Sequence, residues 1–196
     1  MTLGHCSEGA IALIGLTAPS TRPRSEDVGR RLDAVVRTTR LCPAADVADV
    51  VELLRDLLAL ATKVHDRSWL LPEDFGAHAL HHAAEASPLR LTDALVRMRG
   101  ADLYLALACG LRNPEAITEL ERWIFAEADV VVAATSSVAE VRTAVRDRLL
   151  SSTGSAPEPL IMSYPGVVSL RSWLRVAAVR QMQALRARRL PPVTLR

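Results

Sequence analysis

Apolar residues return every third or fourth position along this chain, in segment after segment, and that spacing restricts the fold to packed helices. The clearest case runs from Ala45 to His65, where Val47, Val50, Val51, Leu54, Leu57, Leu58 and Ala61 form the inner stripe. Asp46, Asp49, Glu52, Arg55 and Asp56 fall on the wet side of the same helix. Ser25, with Glu26 and Asp27 behind it, has the chemistry of a helix start and predicts a helix to about Arg40, which Cys42-Pro43 breaks. Pro72-Glu73-Asp74 opens a further helix, since proline fits the first turn and acids favour the positive end of the helix dipole.

The remaining segments follow the same grammar. A short helix after Ser87-Pro88 is expected to lead to Gly100, and the nearly all-apolar Asp102 to Leu111 predicts a helix buried on most sides. Asn113-Pro114-Glu115 caps and starts the next, which continues through Ile117, Leu120, Trp123, Ile124 and Ala128. Val130-Val131-Val132 is β-branched and reads locally as a strand, but no second strand-like run offers it a partner, so a helix is expected there. Ser137 to Leu150 is a helix with Val138, Val141, Val145 and Leu149 inside, and Ser151 to Pro157 is a loop. The chain therefore reads as all-α. Its expected divisions are a loose arm at 1–24, a helical domain at 25–97, a second helical domain at 98–190 and a tail at 191–196.

Several function classes lose support on the residues alone. Gly9, Gly15 and Gly29 form no phosphate-binding fingerprint, and no nucleophile motif is present, so an enzyme is not expected. Cys6, Cys42 and Cys109 are too few and too scattered for a disulfide framework or a metal spacing. His78, His81 and His82 share one helix, but a metal needs a third ligand that only Glu85 could supply; packing histidines are the expectation, with no metal and no cofactor. The apolar run Ala10 to Leu16 is too short to span a membrane and lacks the basic flank of a signal peptide, which points to a cytoplasmic protein with no membrane partner.

Charge is distributed unevenly. The whole chain carries +2, yet no acid follows Glu158 while seven arginines do, so the last thirty-eight residues carry +7 and the rest −5. That asymmetry suits a polyanionic partner. Within the basic part, Ser169 caps a helix expected to run to Leu190 and stopped by Pro191-Pro192. Leu170, Trp173, Leu174, Ala177, Ala178, Gln181 and Leu185 mark its inner stripe, with Trp173 a core anchor. At about 100° per residue, Arg171, Arg175, Arg186 and Arg189 lie within about 60° of one another beside that stripe. Four guanidinium groups on one edge suit a phosphate track, and Arg180, Gln181 and Gln183 have the donors that read base edges. Tyr164, in the loop Met162 to Val168, is either a stacking platform for an unpaired base or a buried loop-terminating tyrosine.

The run Tyr164-Pro165-Gly166-Val167-Val168-Ser169-Leu170-Arg171-Ser172-Trp173-Leu174, followed by an Ala/Val/Arg helix ending Arg186-Ala187-Arg188-Arg189, resembles region 2 of bacterial RNA polymerase sigma factors. The closest flavour is the small extracytoplasmic-function type, with an extra helical segment at the N-terminus. Upstream, Ala101 to Gly110, Asn113-Pro114-Glu115-Ala116 and Leu120-Glu121 look like the first helix pair of that region, and Ala139 to Leu150 lies where the family's core-binding helix belongs. The resemblance covers roughly residues 98–190 and rests on the order of several degenerate pieces.

It implies an all-α bundle that docks on the β′ clamp helices of core RNA polymerase through Glu140, Arg142, Thr143 and Asp147. The loop around Tyr164 would hold a flipped base of the minus-ten promoter element. The basic helix, through Arg171, Arg175, Arg180, Gln183, Arg186 and Arg189, would bind the adjoining promoter DNA. An anti-sigma factor or other regulator is a further implied partner. The family's second DNA-reading domain has no counterpart after Arg189 in this sequence, so the expectation is a one-domain factor or one whose promoter choice another protein supplies. The alternative, from another class, is a helical protein-interaction module derived from a sigma domain, regulating transcription without promoter recognition.

Overall fold

The computed structural model describes residues 25–87, 90–132, 138–151 and 158–189. The expected arm at 1–24, most of the loop at 151–157 and the tail at 191–196 lie outside them. Among the described residues there are eight α-helices and no strand: α1 (Ser25–Thr39), α2 (Val47–His65), α3 (Pro72–Ala86), α4 (Leu91–Val96), α5 (Gly100–Gly110), α6 (Pro114–Val132), α7 (Val138–Leu150) and α8 (Leu170–Arg189). Short 3-10 turns at Ala44–Asp46 and Leu160–Ser163 complete the order. The all-α reading holds, and Val130 to Val132 are helical, as the lack of a partner strand required.

The central element is α5. Leu103 to Cys109 are all buried, so this short helix is surrounded as its uniform apolarity predicts. On one side α1, α2 and α3 pack together and α2 lies along α5; on the other, α6, α7 and α8 pack together and α6 follows α5. One continuous core runs from Leu32 of α1 to Ala178 of α8 without a break at residue 97. The helix expected to end at Gly100 instead stops at Val96, and Gly100 begins α5. Gly100 packs closely on α2: a Cβ there would sit 3.0 Å from the Leu57 carbonyl oxygen and 3.2 Å from its Cβ, so glycine eases the approach of the α5 start to α2.

The joint between α5 and α6 shows how local chemistry sets the path. Arg112 takes φ +66°, its N–H bonds the Cys109 carbonyl at 3.0 Å, and the Asn113 N–H reaches the Ala108 carbonyl at 2.9 Å. That is a Schellman ending with arginine where glycine is usual. Asn113 then caps α6, its Oδ1 accepting the Glu115 and Ala116 N–H groups at 3.0 and 3.1 Å. One residue thus closes one helix and opens the next.

Two buried side chains of the first half, Tyr104 and His65, find partners across elements. The Tyr104 hydroxyl accepts from the Trp69 and Leu70 N–H groups at 2.7 and 3.1 Å, pinning the segment between α2 and α3. His65, whose side chain is 1% exposed, sets Nδ1 2.9 Å from Glu119 Oε1 and Nε2 3.0 Å from the Ala101 carbonyl oxygen. No helix among the described residues is long and apolar enough to cross a membrane.

Candidate nucleic-acid interface

Helix α8 forms because its inner stripe is continuous. Leu170, Leu174 and Ala178 are buried, and Trp173, Ala177 and Leu185 pack against the core. Its start is capped twice. Ser169 Oγ accepts the Ser172 N–H at 3.2 Å, and Asp102 Oδ2, from the first turn of α5, accepts the Leu170 N–H at 3.0 Å. The first turn of α8 has no acid of its own, so α5 supplies the negative charge that the helix dipole favours. Arg99 Nε donates to the same Asp102 oxygen at 2.9 Å, tying the α5 start to the α8 start.

The loop leading into α8 is braced rather than open. Gly166 adopts φ +76°, and its carbonyl accepts the Arg99 N–H at 2.7 Å. The Tyr164 hydroxyl donates to the Val168 carbonyl, and its ring meets Trp173 edge-on with centroids 5.7 Å apart. Tyr164 is 0% exposed. Burial, reinforced by the nearby Asp102 carboxylate, pushes its phenol above the ordinary value. Of the two readings of Tyr164, the burial agrees with the loop-terminating tyrosine and not with a stacking platform: no face of the ring is open to a base, and the side chain serves as the loop's internal post. What the loop exposes instead is Val167 at 45% and Val168 at 47%.

The basic edge of α8 is exposed at Arg171, Arg175 and Arg186, while nothing is described of the Arg189 side chain. Two of these arginines are held by α6. Arg175 Nε donates to Glu127 Oε2 at 2.8 Å, joining a half-exposed guanidinium to a carboxylate only 8% exposed. Arg171 lies over the Trp123 ring, Cζ 5.3 Å from its centroid. Trp123 and Glu127 stand four residues apart on α6 and so share the face that meets α8. Neither was a site residue by sequence; only that i, i+4 spacing of an aromatic and an acid hinted at it. The base-reading residues do not all join this edge. Gln183 is exposed next to it, but Arg180 follows Arg171 by nine residues, which places it about 180° around the helix. One flat contact cannot engage Arg180 and Arg171 together.

On α7, Val141, Val145, Leu149 and Leu150 are buried. Thr143 and Asp147 are exposed, Glu140 is half-buried, and the three fall within about 60° on the helix. Arg142 is half-buried and lies about 100° from Thr143, off that face. Arg146 pairs with Glu121 of α6, which fixes α7 on its neighbour. Comparison with protein-family profiles, with characterised proteins and with solved structures returned no match.

Proposed function

We propose that this chain is a sigma-like transcription initiation factor that docks on core RNA polymerase through α7 and binds minus-ten promoter DNA through the basic edge of α8. The observation that carries the reading is that edge: an acid-free helix whose Arg171 and Arg175 are positioned by Trp123 and Glu127. A guanidinium offers five N–H donors, and the bond to Glu127 uses one, leaving a pre-set fork for phosphate oxygens. Holding the side chain in place beforehand lowers the ordering cost of binding. The Glu140, Thr143 and Asp147 face of α7 is the docking surface for the β′ clamp helices. With Tyr164 buried, an unpaired base would meet Val167 and Val168, whose contact is apolar and carries little base identity. Salt dependence should follow the phosphate count, and roughly four contacts give a log–log slope of about −3 to −4.

The test is fluorescence anisotropy of forked minus-ten DNA with the protein alone and with core polymerase. Saturable binding to the polymerase and then to the fork is expected. Arg171→Ala with Arg175→Ala should flatten the slope by about two phosphate units. Polymerase binding without promoter engagement would identify the interaction module instead, and an unchanged slope would remove α8 from the phosphates.

A further inference from the structure

The histidines of α3 have no part in the proposed interface, yet they border a polar recess. A cavity of about 680 Å³ opens between α3, the end of α5, α7 and the turn at Leu160–Ser163. That volume lies within the range of roughly 300–1,000 Å³ typical of small-molecule sites. Its lining includes Leu107 and Met162, and among the described residues its charged lining is Asp74, Glu85 and Glu158 against Arg148. His78 Nε2 is buried there with no hydrogen-bond partner. Its ring meets the His82 ring edge-on at 4.6 Å, and His82 Nε2 is 3.1 Å from the Met162 carbonyl oxygen. Glu85 is only loosely engaged: its oxygens stand 3.5 Å from His81 Nε2 and 3.3 Å from His82 Nδ1, beyond the roughly 2.7–2.9 Å of a strong charge-assisted bond.

Each feature narrows the occupant. Three carboxylates against one guanidinium disfavour an anion. A purely apolar guest would leave the His78 nitrogen unsatisfied, at a cost that buried polar groups rarely bear. No group of three His, Cys, Asp or Glu side chains among the described residues could hold a metal ion. Burial and the neighbouring His82 and His81 hold His78 down at about 4, so near neutral pH its ring carries a lone pair able to accept a hydrogen bond.

We propose that this cavity binds a small organic cation, an alkylammonium or amidinium, with its carbon body on Leu107 and Met162 and its N–H groups shared among the carboxylates and His78. Gly110 offers an independent handle on the shape of the site. A Cβ there would lie 2.0 Å from Met162 Sδ, so Gly110→Ala must push that flexible side chain aside and reshape the lining. None of the lining residues belongs to α8, so the outcome stands apart from the nucleic-acid reading.

The experiment titrates the full chain with hexylammonium and with benzamidine by calorimetry, using hexanoate and hexanol as controls. Saturable one-to-one binding of at least one cation, and of neither control, is expected. Glu85→Gln with Glu158→Gln should weaken it about tenfold or more, from the loss of charge-assisted bonds, and Gly110→Ala should weaken it as well. Absence of saturable binding by both cations, equal binding of hexanoate, or affinities indifferent to these substitutions would overturn the proposal. A readout on the unmodified chain guards against variants that misfold: the His78 ring nitrogen resonances should shift and saturate with the cation. A cation that binds while those resonances stay still is bound elsewhere, and the assignment fails.

Discussion

Replacing Arg175 by alanine separates two roles that one side chain plays. The guanidinium is about half exposed and available to phosphate, yet its Nε also satisfies Glu127, a carboxylate 8% exposed between α6 and α8. Arg175→Ala leaves that carboxylate without its cation. Hydrogen bonds to charged groups contribute about 1.5–3 kcal/mol, and breaking a fully buried pair costs more. Because the arginine is half in water, about 2 kcal/mol is the reasonable expectation. For a chain of this length that lowers the Tm by roughly 4–8 °C, read by circular dichroism. Adding Glu127→Gln replaces the stranded charge with an amide, which is far cheaper to leave unpaired, and should recover more than half of the loss. DNA binding should not recover. Both variants lack one phosphate contact, so both should show a salt slope flatter by about 0.9. An Arg175→Ala protein as stable as the parent would refute the pairing argument. A double variant that regains the parental slope would refute the phosphate contact.

Three further outcomes follow from the geometry. Tyr164→Ala should destabilise the fold by about 3–5 kcal/mol in denaturant unfolding, as large-to-small core changes do, and should weaken duplex and single-strand binding equally; a selective loss on single strands would restore the ring as a base contact. Arg112→Gly should stabilise the chain by roughly 0.5–1 kcal/mol in the same assay, because φ +66° is strained for arginine and free for glycine. His78, held at about 4 in the fold against an ordinary 6.5, takes up its proton more readily when unfolded. Stability should therefore fall as pH drops from about 6.5 toward 4, and His78→Leu should make that decline shallower; identical pH profiles would show the ring to be solvated.

The outline of the fold was legible because its signals are short-range. Helical spacing, the Asn113 cap with Pro114, the Ser169 cap and the inner stripe of α8 each depend on residues within a turn or two, and all stand as read. The Gly100 boundary was not, since the residue that crowds it, Leu57, is far away in sequence. The same limit applied at the interface. Four arginines on one edge were visible from a helical projection, but the partners that position Arg171 and Arg175 lie on α6, and Glu127 precedes Arg175 by 48 positions.

The sequence by itself determined which segments are helical and that the chain is all-α, since backbone hydrogen bonding and capping are settled locally. Tertiary structure alone decided what each polar or aromatic side chain does. Asp102 caps a helix that begins 68 residues later, and Tyr164 turns inward because Trp173 and the Val168 carbonyl receive it. A side chain's role depends on which helix crosses it, and that crossing is chosen by the packing of the whole core.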